Sequence, residues 1–336
     1  MKILISDYPE ELKRNLAYEK ELFLKHLPVQ ENDIEVYPYQ NEAEFIEHIK
    51  DADALVTAFL PLGEEILSQC RQLKCVGINA AGYGNVDMEA AEKYGIAVCP
   101  VLEYCTNEVA EHTLALMTGL FRNLKIYEKR VEQEHIWSYQ SAGTNQRMAG
   151  KTLAVFGFGR IGRAVAKRAQ AFDMKVIAVD PYFPREEAAK LDVILVDRDY
   201  AFAHADVITN HMNQTKENQA YFSWTEFEKM EKRPFFLNVG RGNAVAEEAL
   251  INALDTGKLR GAALDVLESE APRLEGHPLL SRDNVILTPH AAFYSETSMK
   301  ELQRVTCENI IYFFKGKYER IRFLANPKVI EKAVEK

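Results

Sequence analysis

The feature that most constrains this chain is Gly157-Phe158-Gly159-Arg160-Ile161-Gly162, set between an apolar run at 152–156 and a helical stretch at 163–168. One glycine allows a tight turn, a second lets backbone approach a pyrophosphate, and a third lets helix and strand pack closely. The helix start then offers unpaired N–H groups and a positive dipole end to phosphates. Gly157, Gly159, Arg160, Ile161 and Gly162 are therefore candidate cofactor contacts. A second run, 175–179, leads into Asp180, which stands 18 residues after Gly162. A carboxylate there accepts hydrogen bonds from both ribose hydroxyls and repels a 2′-phosphate, so Asp180 favours NAD over NADP. The plainer alternative is that Asp180 only closes a strand at the Pro181 turn. Arg185 is the nearby group that could attract a phosphate.

Such a unit implies a parallel sheet covered by helices, and the rest of the chain alternates in the same way. Short apolar runs at 2–6, 54–58 and 75–79 read as strands, with amphipathic stretches at 41–50 and 63–72 between them. Capped at Thr106 or Asn107, a helix runs through Phe121 and separates two β/α regions. Beyond Gly150 the strand candidates are 152–156, 175–179, 193–196, 206–209, 234–238, 261–265 and 285–287. The fold class is α/β. Ligands of an open parallel sheet bind outside the carboxyl ends of its strands.

Three of these strands run into polar residues. Residues 234–238 lead to Val239-Gly240-Arg241, 261–265 to Glu268-Ser269-Glu270, and 285–287 to Thr288-Pro289-His290. A guanidinium offers a planar fork that matches a carboxylate. An imidazole is the natural proton donor or acceptor near neutral pH, and a carboxylate beside it holds one tautomer and stabilises the imidazolium. Together with a nicotinamide, these groups suit reduction of a 2-keto acid: the carboxylate is clamped, the carbonyl is protonated and C2 receives a hydride. Taken singly, each residue reads as well as a surface ion pair or a structural side chain. Their succession beside a phosphate cradle points to catalysis.

Composition bounds the partners. Basic residues number 41 and acidic ones 50, a formal net charge of −9, which lacks the basic footprint of a nucleic-acid binder. No apolar run approaches the length that spans a bilayer, and the first residues are unlike a signal peptide. Five cysteines, an odd number, stand in no zinc-ligand spacing, so no metal and a reducing cytoplasm are expected. Cys105, beside the 106–121 helix, is the one to watch.

At these residues the chain resembles the D-2-hydroxyacid dehydrogenase family over nearly its whole length. The family order is a glycine motif, Asn-x-x-Arg-Gly, Leu-Asp-Val with a Glu five positions past the Asp, and Thr-Pro-His. Here these are 157–162, 238–242, 264–266, Glu270 and 288–290. The resemblance implies that Arg241 binds the substrate carboxylate, that His290 is the acid/base paired with Glu270, and that Asp265 holds the nicotinamide carboxamide. It places His211, Met212, Asn213 and Thr215 in a loop over the cofactor, with Val239, Gly240 and Ala292 also contacting it and Val109 under the nicotinamide. Ala81, Gly82 and Tyr83 resemble the loop whose amides receive the substrate carboxylate, while Tyr104 and Phe293 match pocket positions. The chain is most similar to the subgroup of C-terminal-binding-protein-like dehydrogenases and to D-lactate dehydrogenases.

The family fold implies two parallel-sheet domains, flavodoxin-like and Rossmann-like, with an active-site cleft between them. Residues 1–102 plus 295–336 would form the substrate domain and 103–294 the NAD-binding domain, through which a homodimer is expected. The 301–314 helix would return to the first domain. The implied activity is NAD-dependent oxidation of a D-2-hydroxy acid, or reduction of a 2-keto acid. Departures stand at Asn213, Gly84, Ala271 and Ile78, and Phe293 replaces a frequent tryptophan; none removes a catalytic group. Two rivals share the fold: an NAD(H)-sensing corepressor-like scaffold, and a hydroxypyruvate or glyoxylate reductase. A phosphoglycerate dehydrogenase would want cations in the substrate loop, and residues 80–85 carry none.

Overall fold

The computed structural model describes residues 1–330. The last six residues assigned above to the first domain, 331–336, lie outside the described residues. Contacts divide the chain into two units, one of Met1–Tyr104 with the segment from Ser295 onward, the other of Cys105–Tyr294.

The first unit is a five-stranded parallel sheet: β1 (Ile3–Asp7), β2 (Ile34–Pro38), β3 (Ala54–Thr57), β4 (Cys75–Ile78) and β5 (Ala97–Pro100), in the order β2-β1-β3-β4-β5. β1, β3, β4 and β5 are buried along their whole length, as unbroken apolar runs covered on both faces require. Periodicity alone misses β2. It is an edge strand with only Ile34 buried, and its Glu35 and terminal Pro38 suit an unpaired side. The Leu16–His26 helix is also missed, because Glu19 lies on its inner face. That carboxylate is fully buried against Arg14, with Nε to Oε1 2.6 Å. The stretch expected as a helix over 63–72 is helical only at Glu64–Leu67. There the amides of Gln69 and Cys70 bond three residues back rather than four, which tightens and ends the turn. The Glu296–Phe314 helix is boxed at its start by reciprocal Ser295–Ser298 bonds of 2.9 and 3.0 Å. Its Cys307, Ile310 and Ile311 join the apolar layer of β1, β3, β4 and β5.

The second unit is a seven-stranded parallel sheet: β6 (Thr152–Phe156), β7 (Lys175–Val179), β8 (Ile194–Leu195), β9 (Val207–Asn210), β10 (Phe235–Asn238), β11 (Gly261–Leu264) and β12 (Val285–Leu287). The order is β12-β11-β10-β9-β6-β7-β8. The chain therefore builds outward from β6 through β7 and β8, then returns to β9 on the other side. That reversal between β6 and β9 opens a crevice at the carboxyl ends of both strands. β8 is shorter than the expected 193–196 and pairs through two residues only. On one face the Thr106–Phe121 helix packs Val109, Leu114 and Met117 into a cluster with Val165, Ala166 and Ala169 of the Arg160–Gln170 helix. On the other, Phe156, Phe202, Phe222 and Phe236 form an aromatic layer with ring centroids 5.0–6.2 Å apart. Among the described residues no helix is long and apolar enough to cross a membrane.

Candidate active site

At the β6/β9 crevice the glycine loop is held by backbone and by one carboxylate. Gly157 takes φ +86°, and its N–H donates to the Val179 carbonyl at 3.0 Å. A Cβ on Gly157 would lie 2.8 Å from the His211 carbonyl carbon, and one on Gly162 would lie 2.2 Å from the Gly157 oxygen. Nothing stands within 4 Å of the corresponding point on Gly159, which caps the Arg160–Gln170 helix with no side chain of its own. The loop is thus packed tightly on its inner side and open at the helix N-terminus, the form that admits a pyrophosphate. Gly162→Ala is expected to lower unfolding free energy by about 2 kcal/mol, because its neighbour is rigid backbone. A urea midpoint equal to that of the wild type would show that the loop yields.

Asp180 does more than close a strand. Its Oδ2 accepts from Phe158 N–H at 2.8 Å, and its Oδ1 accepts from Tyr182 and Phe183 N–H at 2.9 and 3.1 Å. It therefore ties the glycine loop to the turn after β7. Each carboxylate oxygen has more than one acceptor site, so ribose hydroxyls remain compatible with this bonding. Arg185 donates to the Leu195 carbonyl at 3.1 Å, which commits it to the sheet edge.

On the other side of the crevice, His211 N–H donates to the Phe156 carbonyl at 2.8 Å. The imidazole Nε2 lies 3.0 Å from Thr209 Oγ1, while its Nδ1 is buried with no partner among the described residues. Burial pushes the His211 pKa down from its ordinary 6.5 to about 3. Between those two values the unfolded chain takes up a proton that the folded chain refuses, so this group costs stability as pH falls through that window. His211→Leu should accordingly flatten the decline of the urea midpoint between pH 7.5 and pH 5. Parallel declines in variant and wild type would remove His211 from the balance.

Asn210 and Asn238, at the ends of β9 and β10, form a buried side-chain bridge of 3.0 Å. Asn210 Oδ1 accepts from Met212 N–H, Asn238 Oδ1 from Gly240 N–H, and Asn238 Nδ2 donates to the Arg241 carbonyl. Asn210 carries a weak sequence signal, a polar side chain that closes a short buried strand already holding Thr209. Asn213 and Thr215 continue in a mostly exposed loop, where Asn218 Nδ2 donates to the Asn213 carbonyl at 2.9 Å. Arg160 is exposed, and Ile161 packs partly against the apolar cluster that holds Val109, Val239 and Ala292.

The loops after β10, β11 and β12 leave one edge of the sheet in register, since Asn238 pairs with Leu264 and Leu264 with Leu287. Arg241 is exposed, and its Nη1 donates to the Gly240 carbonyl at 2.9 Å. Gly242 approaches the next loop so closely that a Cβ would fall 1.7 Å from the Leu267 oxygen. Asp265 is only 2% exposed. Its carboxylate accepts from Thr288 Oγ1 at 2.6 Å and from the Ala291 and Ala292 amides at 2.9 Å each. Its carbonyl accepts from His290 N–H at 2.7 Å. His290 stands at φ +50°, an uncommon conformation for a residue with a Cβ, and this bonding holds it there. The His290 Nδ1 meets Glu270 Oε2 at 2.7 Å, and the Phe293 ring lies edge-on 6.0 Å away.

The structure thus gathers the glycine loop, Asp180, His211 and Met212 at one crevice, and Arg241, Asp265, Glu270 and His290 on three interlocked loops of the same sheet edge. Ala81, Gly82 and Tyr83 belong to the first unit and follow β4, with the Tyr83 ring 6.3 Å from Phe323. Tyr104 is also in that unit and packs against Val101, Leu302 and Val305. Among the described residues no cluster of side chains has the make-up of a metal site.

Comparison with known proteins gives the family. Residues 114–292 match the family described as D-isomer specific 2-hydroxyacid dehydrogenase, NAD binding domain. The chain is 35% identical over 285 residues to a D-3-phosphoglycerate dehydrogenase of Archaeoglobus fulgidus, covering 84% of this chain and 54% of that protein. It therefore spans about half the length of such relatives. It is 32% identical to a glycerate dehydrogenase of Methylorubrum extorquens, over 83% of this chain and 88% of the relative. Its fold is similar to a D-lactate dehydrogenase from Aquifex aeolicus solved with NAD and lactic acid, with a TM-score of 0.80 and 28% identity. That similarity covers 96% of this chain and 98% of the other. The glycine cradle fits the cofactor NAD that this domain binds. With more than half of its residues matched, the chain belongs to the D-isomer specific 2-hydroxyacid dehydrogenase family.

Proposed function

We propose that the protein is an NAD-dependent D-2-hydroxyacid dehydrogenase that also runs as a 2-keto acid reductase. The observation that carries the reading is the His290–Glu270 contact of 2.7 Å, set on a loop that Asp265 holds. Glu270 accepts the Nδ1 proton, which leaves Nε2 to face a substrate oxygen. Protonated His290 gives its Nε2 proton to the keto oxygen in reduction, and neutral His290 takes the hydroxyl proton in oxidation. Arg241 holds the substrate carboxylate through two parallel N–H bonds. When bound at the cradle, the nicotinamide supplies or accepts the hydride. Val109, Val239 and Ala292, buried in one apolar cluster, would floor that end and help keep water away. Asp180 favours NAD over NADP here, and Asp265, only 2% exposed, serves the site by holding the His290 loop through Thr288, Ala291 and Ala292.

A small, uncharged side chain on the keto acid suits the cation-free loop at 80–85. Relatives named glycerate dehydrogenase and hydroxypyruvate reductase keep hydroxypyruvate and glyoxylate among the candidates. The proposal includes a cytoplasmic setting, on the odd cysteine count, and a homodimer formed through the second unit. In that unit the Leu124–Glu132 helix and the segment after it expose Leu124, Val131, Ile136, Trp137 and Tyr139. Trp137 and Tyr139 are 90% and 82% exposed, an apolar face that a second copy would cover. A monomer in analytical ultracentrifugation at micromolar concentration would overturn the dimer.

The deciding experiment is NADH oxidation against a panel of pyruvate, glyoxylate, hydroxypyruvate, a phosphorylated hydroxypyruvate, and branched and aromatic 2-keto acids, with NADPH in parallel. Turnover with NADH and one class of acid supports the proposal. NADH binding with turnover on none would move the reading to an NAD(H)-sensing scaffold.

A further inference from the structure

We infer that His112, on the Thr106–Phe121 helix, is a positioning residue for proton transfer at His290, acting through Thr288 and Asp265. Its Nε2 lies 3.0 Å from Thr288 Oγ1 and 3.6 Å from Asp265 Oδ1. The Thr288 hydroxyl has one hydrogen, and the 2.6 Å contact with a buried acceptor-only carboxylate uses it. The contact with His112 therefore requires the imidazole to donate, so Nε2 carries a proton. The chain of donors runs from His112 to Thr288 to Asp265, against the direction in which the same carboxylate receives the Ala291 and Ala292 amides.

Asp265 is thus fastened on both sides. Its carbonyl receives His290 N–H and its own N–H reaches the Asn238 carbonyl, at 2.7 and 2.9 Å. These bonds hold His290 at φ +50°, a conformation the residue would leave if the anchor loosened. Among the described residues His112 contributes the one side-chain donor that orients the Thr288 hydroxyl, and without it that hydroxyl is free to turn from Asp265. His112 is partly exposed and sits at the outer end of the chain. The inference rests on the reading of His290 as the proton donor, while the dependence of the loop on His112 stands apart from it.

The test uses His112→Leu and Thr288→Val, singly and combined, with His112→Gln and Thr288→Ser as variants that keep the N–H donor and the hydroxyl. Two quantities are read: amide hydrogen exchange of Ala291 and Ala292 in the protein without substrate, and kcat against KM with the best acid of the panel. Loss of either link should speed exchange at both amides about tenfold and lower kcat about tenfold, with KM within about twofold. The combined variant should be no worse than either single one, because both break the same chain. Thr288→Ser and His112→Gln should restore most of both. Unchanged exchange, additive losses, or Ser and Gln variants as impaired as Val and Leu would overturn the inference. If the wild type reduces no keto acid, the functional reading falls, and the exchange data still decide whether His112 holds the loop.

Discussion

His290→Gln should lower kcat about 10³-fold to 10⁴-fold while NADH binds within about twofold of wild type, the scale at which a positioned acid/base works. Glutamine keeps much of the histidine volume and can still donate to Glu270 Oε2, now 2.7 Å from the ring. What it lacks is a proton to give at neutral pH. The glycine cradle, Asp180 and the Asn210–Asn238 bridge are untouched, because they stand at other strand ends. Steady-state turnover and NADH fluorescence titration separate the two effects. Near-normal turnover with NADH bound would remove His290 from the chemistry.

Arg241→Lys should lower kcat/KM for the keto acid about 10²-fold, mainly through KM, with NADH affinity unchanged. The guanidinium spends one N–H on the Gly240 carbonyl and keeps a planar fork for an incoming carboxylate. An ammonium retains the charge but is a point donor, so it cannot reproduce two parallel bonds. The loop itself should hold, since Asn238 Nδ2 binds the Arg241 carbonyl rather than its side chain. Unchanged kinetics across the panel would take Arg241 out of the substrate site.

Much of the architecture is legible before any coordinates. The runs at 152–156, 175–179, 234–238 and 261–265 fall on inner strands of one parallel sheet, because strands buried on both faces are written as largely apolar segments, and 285–287 forms its half-buried edge strand. The elements that escape are those where a tertiary partner excuses a local irregularity. β2 carries Glu35 because it is an edge, and the Leu16–His26 helix buries Glu19 because Arg14 meets it. The stretch at 63–72 has helical spacing but ends early, where its bonds tighten.

The same division runs through the site. That Arg241, Glu270 and His290 follow successive strands can be read from the chain. The sequence by itself determined the β/α alternation, the glycine cradle and the acidic residue that ends its second strand. Each follows from local chemistry: which residues permit a turn, which can fill a covered sheet, which start a helix. Only the tertiary structure decided the rest. It set the strand order that opens the crevice between β6 and β9, and it buried the His211 Nδ1 with no partner among the described residues. It also brought Thr288 and His112, distant in sequence, onto the carboxylate of Asp265, and so held His290 at φ +50°. These outcomes depend on which remote groups the fold brings within about 3 Å of each other, where hydrogen bonds form, and which it buries away from water.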